Sequence, residues 1–352
     1  MVISTIGKTI TTDEEGGAAA ISAIHPDIIQ THILTCLDGP SLASASTTCS
    51  QLYNLSSNKH LWNNICQSTW PSTNTTRVRH VISTFPNTSR SFFSDSFSTV
   101  TAHTLHHRHR PNLENTPEIL SSVDLFHRKR LILSKLVETE TVSGWFRCSP
   151  FRIDILDPKD SVETSMEYPR NDESCKNLEE ELTMSWIVID PRGKRAMNVS
   201  SGKPVSVHRH WLTGDVQARF ATVLHGGEKG SATEVALCSL LVTLGGEMQV
   251  REVCFQIEDM DGINLNGRDS LGILQRALEG ERKKLRSEKE RKEIFVEFMK
   301  RKIERKERKL RSERWLAMKP RYSKIGEVSC PIRTRYRYSS DTSRYSYRKS
   351  IG

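Results

Sequence analysis

HPDIIQTHILTCLDGPSLASASTTCSQLYNLSSNKHLWNNICQSTW, residues 25–70, is the stretch whose reading decides the fold. Pro26 suits a first helical turn, where its missing N–H would be unpaired anyway. Behind it Ile28, Ile29, Ile33, Leu34 and Leu37 recur at helical rather than strand spacing. Asp38-Gly39-Pro40 then breaks the pattern. Ser41 can cap a second helix carrying Leu42, Ala45, Cys49 and Leu52, and Asn58 a third carrying Leu61, Trp62, Ile65 and Trp70. Three helices this short cannot cover their own apolar surface. They are either the helical corner of a larger core or a docking module whose spare face belongs to another protein.

Those residues resemble an F-box. Pro26 matches its opening proline, and Ile29, Ile33, Leu34 and Leu37 its first apolar ladder. Leu42 matches the leucine after the turn, Cys49 the mid-helix cysteine and Leu61-Trp62 the closing Leu-Trp. His25, Thr48 and Leu52 depart from the leucine, valine and tryptophan usual at those places. Downstream, ETVSGWFRCSPFRIDILDPKD and SWIVIDPRGKRAMNVS are similar to one subgroup of plant F-box proteins, and the resemblance covers roughly residues 22–275. It implies a non-catalytic adaptor of an SCF-type cullin–RING ubiquitin ligase. Docking on the Skp-family linker, and through it on cullin, would then fall to Pro26, Ile29, Ile33, Leu34, Leu37, Leu42, Leu61 and Trp62. A β-rich domain would hold an unnamed substrate protein, in the nucleus, the cytoplasm or both.

From Ser121 the period becomes that of strands. SSVDLFH, RLILSKLVE, VSGWFRC, FRIDIL, MSWIVID, KRAMNVS, VQARFATVLH, TEVALCSLLVTL and MQVREVCFQIED alternate with turn signals. Among these are Pro191-Arg192-Gly193 and Gly245-Gly246, a pair that accepts positive φ without strain. An antiparallel sandwich follows, and the absence of βαβ alternation excludes a doubly wound sheet. The expected architecture is α+β. A leader (1–21) precedes the three-helix module (22–70) and a Ser/Thr/Asn-rich tether with helical pieces at 78–85 and 91–97 (71–118). Then come the β-rich domain (119–268) with a mobile acidic loop at 163–181, a charged helix opening at Asp269 (269–318) and a disordered basic tail (319–352). Along the helix, Glu288–Lys292, Glu297–Arg301, Glu304–Arg308 and Glu307–Arg311 stand at i,i+4.

The 352 residues carry a formal charge of +9, and the excess sits at the end: residues 279–352 hold 25 Lys and Arg against 11 Asp and Glu. The folded body is slightly acidic, which argues against a basic nucleic-acid-binding core. The tail reads as a solvated helix, as an import signal through Arg282-Lys283-Lys284 and Arg305-Lys306, or as a phosphate-binding segment of interleaved Arg and Tyr. A basic-tailed nucleic-acid-binding or scaffold protein is therefore the alternative class. No apolar run reaches the roughly 18 residues of a membrane span. The eight cysteines contain no Cys-x-x-Cys and read as reduced thiols, several of them core fillers. No catalytic, cofactor or metal signature is expected: nucleophile elbow, P-loop and His-Glu-x-x-His are all missing. Gly226-Gly227-Glu228-Lys229-Gly230-Ser231 reads as a loop, and His103, His106, His107 and His109 lack companion ligands. His208, His210 and Trp211 read as sheet packing before recognition surface.

Overall fold

The computed structural model describes residues 24–100, 116–227, 230–283 and 286–318. The leader, the histidine cluster at 103–109 and the tail from 319 lie outside the described residues. Residues through Glu307 form one compact unit, and those from Arg308 a second.

The first helical run changes pitch twice. It passes from α1 (Pro26–Ile28) through a π turn (Ile29–Ile33) to a 3-10 turn (Leu34–Cys36). Thr31 and Thr35 donate to the carbonyls four residues back at 2.6 and 2.7 Å, and this side-chain competition distorts a helix. The expected second helix is two. Asp38, not Ser41, caps α2 (Gly39–Ala45), accepting from the Ser41 amide at 2.9 Å. The Ser46, Thr47 and Thr48 hydroxyls each donate to the carbonyl three residues back, which closes that helix. Cys49 is then the N-cap of α3 (Ser50–Ser56) rather than a mid-helix residue. Asn58 caps α4 (Lys59–Thr69) as expected. Part of the tether is core: α5 (Thr76–Ser83) and α6 (Ser89–Phe97) bring Val78, Val81, Ile82, Phe92 and Phe93 into the cluster around Trp62 and Trp70.

Two antiparallel sheets follow. β2 (Glu118–His127), β3 (Arg130–Glu140), β5 (Leu182–Asp190) and β6 (Arg195–Asn198) form one, in the order β3-β2-β5-β6. The other has the order β4-β10-β9-β8-β7. It comprises β4 (Arg152–Asp154), β7 (Ser206–Arg209), β8 (Val216–His225), β9 (Val235–Leu244) and β10 (Val250–Glu258). Their inner faces share one core with Trp186, Phe220 and Phe255 at its centre. Three connections differ from expectation. VSGWFRC is a helix, α7 (Gly144–Cys148), because Ser143 accepts from the Phe146 amide and caps it. The acidic loop contains α8 (Asp172–Glu181), started by a capping box of Asn171 and Ser174 and anchored by Cys175 and Leu178. At the β9–β10 turn neither glycine takes positive φ; Met248 does, at 58°.

The central strands of the four-stranded sheet, β2 and β5, are covered on both sides. Ile119, Val123 and Leu125 of β2 face the sandwich core, while Leu120 joins Ile187, Ile189 and Ala196 in the helical cluster. Two polar residues of β2, Ser122 and Asp124, are fully buried beside the 3-10 turn Pro71–Asn74. Asp124 accepts from the Ser72 amide (2.9 Å), the Ser72 hydroxyl (2.6 Å) and Ser134 (2.7 Å), and Ser72 and Ser122 share a hydrogen bond of 2.5 Å. A polar knot thus ties the helices to the sheet.

The charged helix is not continuous from Asp269. Asn266 caps α9 (Gly267–Glu279), which ends at Gly280. Arg282–Lys283 then pairs as β11 with β1 (Thr99–Val100) before α10 (Glu288–Met318) begins. Phe295 and Phe298 of α10 pack on Val205, Ala221, Val235 and Leu237 of the outer sheet region. Of the expected i,i+4 pairs, Glu297–Arg301 forms, but Lys292 reaches Glu179 and Glu288 reaches Lys203 instead. Arg282, counted above in an import cluster, is largely covered, its side chain 11% exposed. It donates to the Ala277, Leu278 and Ala196 carbonyls at 2.8–3.0 Å and lies 3.6 Å from Asp95, which also holds Arg195. Desolvation pulls its pKa down to about 10, against the attraction of Asp95.

Two stability outcomes are expected. Asp124→Ala leaves the buried Ser72 amide and hydroxyl unpaired and costs about 2–4 kcal/mol in urea unfolding, whereas Asp124→Asn costs roughly 1 kcal/mol or less. Burial raises the Asp124 pKa above 3.8 despite the serine hydrogen bonds. The native state therefore holds that proton more tightly than the unfolded chain. Its contribution is complete below pH 3.8 and is lost as pH rises through the native pKa, a slope that Asp124→Asn removes. Separately, Arg282→Gln uncaps α9 and leaves Asp95 less compensated, lowering stability by about 2–4 kcal/mol.

Candidate docking faces

Of the eight docking residues expected from sequence, five are interior. Ile29, Leu34, Leu42, Leu61 and Trp62 are buried in the chain's own helical cluster. Their role is to hold the helices together, because a side chain covered by its own chain offers no area to a partner. Pro26 and Ile33 are exposed and Leu37 is half-buried. Two exposed residues that sequence reading did not select, Ile28 and Tyr53, complete the outer set: Ile28 is 49%, Ile33 44% and Tyr53 52% exposed. The π turn explains the miss. Leu34 N–H bonds to Ile29 O, five residues back, so residues 28 and 33 stack where an α-helix would spread them apart. The helix that carries Tyr53, α3, packs on this π turn.

The inner side is fixed by three contacts. The Trp62 indole donates to the Ser56 carbonyl at 2.7 Å. Arg90 of α6 lies 5.4 Å from the Tyr53 ring centroid and 5.7 Å from that of Trp62, and also donates to Ser46 and Ser57. Gly39 sits directly against the Phe93 ring, where any Cβ would collide. The helical hydrogen bonds from Ser41 hold the Asp38 carboxyl below its ordinary pKa, so this cap is charged at neutral pH.

A second exposed region lies on the sandwich. Trp211, read above as packing, is 87% exposed at the tip of the β7–β8 hairpin, and Leu212 is 71% exposed. The hairpin is braced rather than loose. Tyr168 donates to the Gly214 carbonyl at 2.7 Å, Gly214 has φ 75°, and the His210 ring lies 6.4 Å from that of Trp211. Between this hairpin and α8 runs an open groove of about 710 Å³ lined by Tyr168, Asp172, Lys176, His208 and Trp211 among others. Glu179 of α8 accepts from the Val207 amide at 3.2 Å and so satisfies part of the β7 edge.

Among the described residues the one group with metal-ligand spacing is Asp154, Glu252 and Cys254. Arg152 already occupies it, donating to Asp154 at 2.8 Å and to Glu252 at 2.6 Å, and burial pushes the Cys254 thiol up to about 12. A protonated thiol and two arginine-paired carboxylates make an ion cluster, not a cation site. Cys66 is likewise held protonated, at about 12, and the seven described cysteines are all free thiols. No described helix is long and apolar enough to cross a membrane.

Comparison with known proteins places the helical module in a family. The F-box-like family model matches residues 26–68, which run from α1 almost to the end of α4. Three Arabidopsis thaliana proteins are similar over most of the chain. F-box protein At3g44326 is 42% identical over 90% of this chain and 90% of its own length. Probable F-box protein At2g36090 is 48% identical over 83% and 86%, and F-box protein At2g27310 45% identical over 84% and 90%. No solved structure matches the chain. With its helical module built and its relatives matched through the sandwich, this chain belongs to the F-box protein family.

Proposed function

We propose that the chain is a substrate-recognition adaptor of an SCF-type cullin–RING ubiquitin ligase. F-box proteins generally act as receptors of this kind. The observation that carries the reading is the two-sidedness of the helical module: one side is bonded into the sandwich, and the other leaves Pro26, Ile28, Ile33 and Tyr53 in solvent. That outer set, with Leu37 at its edge, docks on the Skp-family linker and through it engages cullin. Ile29, Leu34, Leu42, Leu61 and Trp62 act behind it by fixing its shape. The Trp211–Leu212 hairpin and its groove take the substrate protein, an arrangement of exposed aromatic anchor beside a cleft that suits a protein partner. The chain makes and breaks no bond. It raises the local concentration of a target lysine near the charged ubiquitin carrier.

Three comparisons test this. Ile33→Asp with Pro26→Ala abolishes pulldown of the linker while changing stability by about 0.5 kcal/mol or less; Trp62→Ala instead costs about 3–5 kcal/mol. Linker binding retained by the first variant overturns the docking assignment. Trp211→Ala with Leu212→Ala keeps linker binding and loses substrate ubiquitination, and unchanged ubiquitination removes the hairpin from the recognition surface. The scaffold alternative is tested by truncation after Met318, since Phe295 and Phe298 are core and an earlier cut would unfold the sandwich. Linker binding that vanishes with the tail favours the scaffold.

A further inference from the structure

A partly open cavity lies where five elements of the chain meet: α4, α6, β6, β8 and the start of α10. Its volume is about 170 Å³, close to the roughly 150 Å³ that accepts one benzene ring in an engineered protein core. Trp70, Phe97, Met197 and Ile294 supply apolar wall. Two polar groups on the lining are buried with no hydrogen-bond partner: the Ser96 hydroxyl, on a residue 1% exposed, and Arg291 Nε. Arg286 is a second basic residue on the lining, and no acidic residue is among the lining residues.

Among the described residues Arg291 makes no ion pair. The acidic group whose charge acts on it is Glu288, which Lys203 already engages at 3.1 Å. Desolvation lowers the Arg291 pKa, a sign of a cation held away from water without full compensation. Such a group is costly unless something of opposite charge meets it. We infer that this cavity is a binding site for a small organic carboxylate, its ring or chain against Trp70 and Phe97 and its anionic end at Arg291 and Ser96. The inference is independent of the adaptor reading. Because the lining joins the helical module, both sheets and α10, such a ligand would fasten α10 to the body of the molecule.

Benzoate and its neutral isostere benzamide are the probes, titrated against the full chain by calorimetry. Benzoate is expected to bind and to raise the melting temperature, with benzamide about tenfold or more weaker, the usual effect of losing a charge-assisted hydrogen bond. Arg291→Gln should weaken benzoate about tenfold or more, while Arg291→Lys, which keeps the charge, loses less. Ser96→Ala should weaken it about two- to fivefold. Ser96→Ala removes one small atom group from an otherwise intact wall, so it reads the site even where an Arg291 variant loosens α10. No benzoate binding, equal binding of benzamide, or benzoate binding unchanged in both Arg291→Gln and Ser96→Ala overturns the inference.

Discussion

The two central strands of the four-stranded sheet, β2 and β5, have no side left for solvent, and much of the architecture follows from that. β2 and β5 are buried along nearly their whole length, so each successive residue must satisfy a different neighbour. One face meets the second sheet with mainly apolar side chains. The other meets helices, and there β2 carries Ser122 and Asp124. A carboxylate buried in that layer requires donors, and the chain provides them from Ser72, just past the end of the F-box match. The helical module is therefore not a bead on a string. Its last turn is written into the hydrogen bonding of a central strand.

The same logic explains why α5 and α6 exist. Ile29, Leu34, Leu42 and Trp62 need a floor, which the first four helices are too short to make. Phe92, Phe93 and Trp70 fill that space, with ring pairs at centroid distances of 5.2–6.0 Å, and Leu120, Ile187 and Ile189 close it from the sheet. At the far side α10 does the equivalent for the second sheet through Phe295 and Phe298. Asp95, Arg195 and Arg282 link the helical layer, the β6 edge and the end of α9. Each outer layer is held by a mixture of apolar area and a small, well-donated polar cluster.

Much of this was legible in the sequence, for reasons that can be named. Strand alternation from Ser121 onward depends only on local spacing, so the antiparallel sandwich could be read. Asn58 and its helix follow from a local cap. The failures are of two kinds. The first is competition among local signals: Ser46, Thr47 and Thr48 bond to nearby carbonyls and split one expected helix, and Asn171 with Ser174 starts a helix in what read as an acidic loop. The second is sidedness. A ladder of isoleucines and leucines says that some face is apolar, not which residues face inward. A single π turn exchanges Ile28 for Ile29 on the outer side, and no periodicity of 3.6 reveals it. Trp211 shows the reverse error, since a tryptophan beside a strand is more often packed than displayed.

Fusion of the helical module to the sandwich has a consequence for an adaptor. A flexible tether lets a captured target sweep a large volume, and the effective concentration of its lysines at one point falls as that volume grows. A shared core allows no such sweep: Leu120 and Ile187 belong at once to the helical cluster and to the sheet that frames the sandwich. The outer apolar set around Ile33 and the hairpin around Trp211 are thus held at a fixed separation by buried strands rather than by linker length. On the proposed adaptor reading, what remains mobile in such an assembly is the target itself, and the choice of lysine would be set by how the target sits on the sandwich. On that reading specificity of modification would be a matter of docking geometry, and substitutions in the Asp124–Ser72 knot would alter it without touching either proposed docking face.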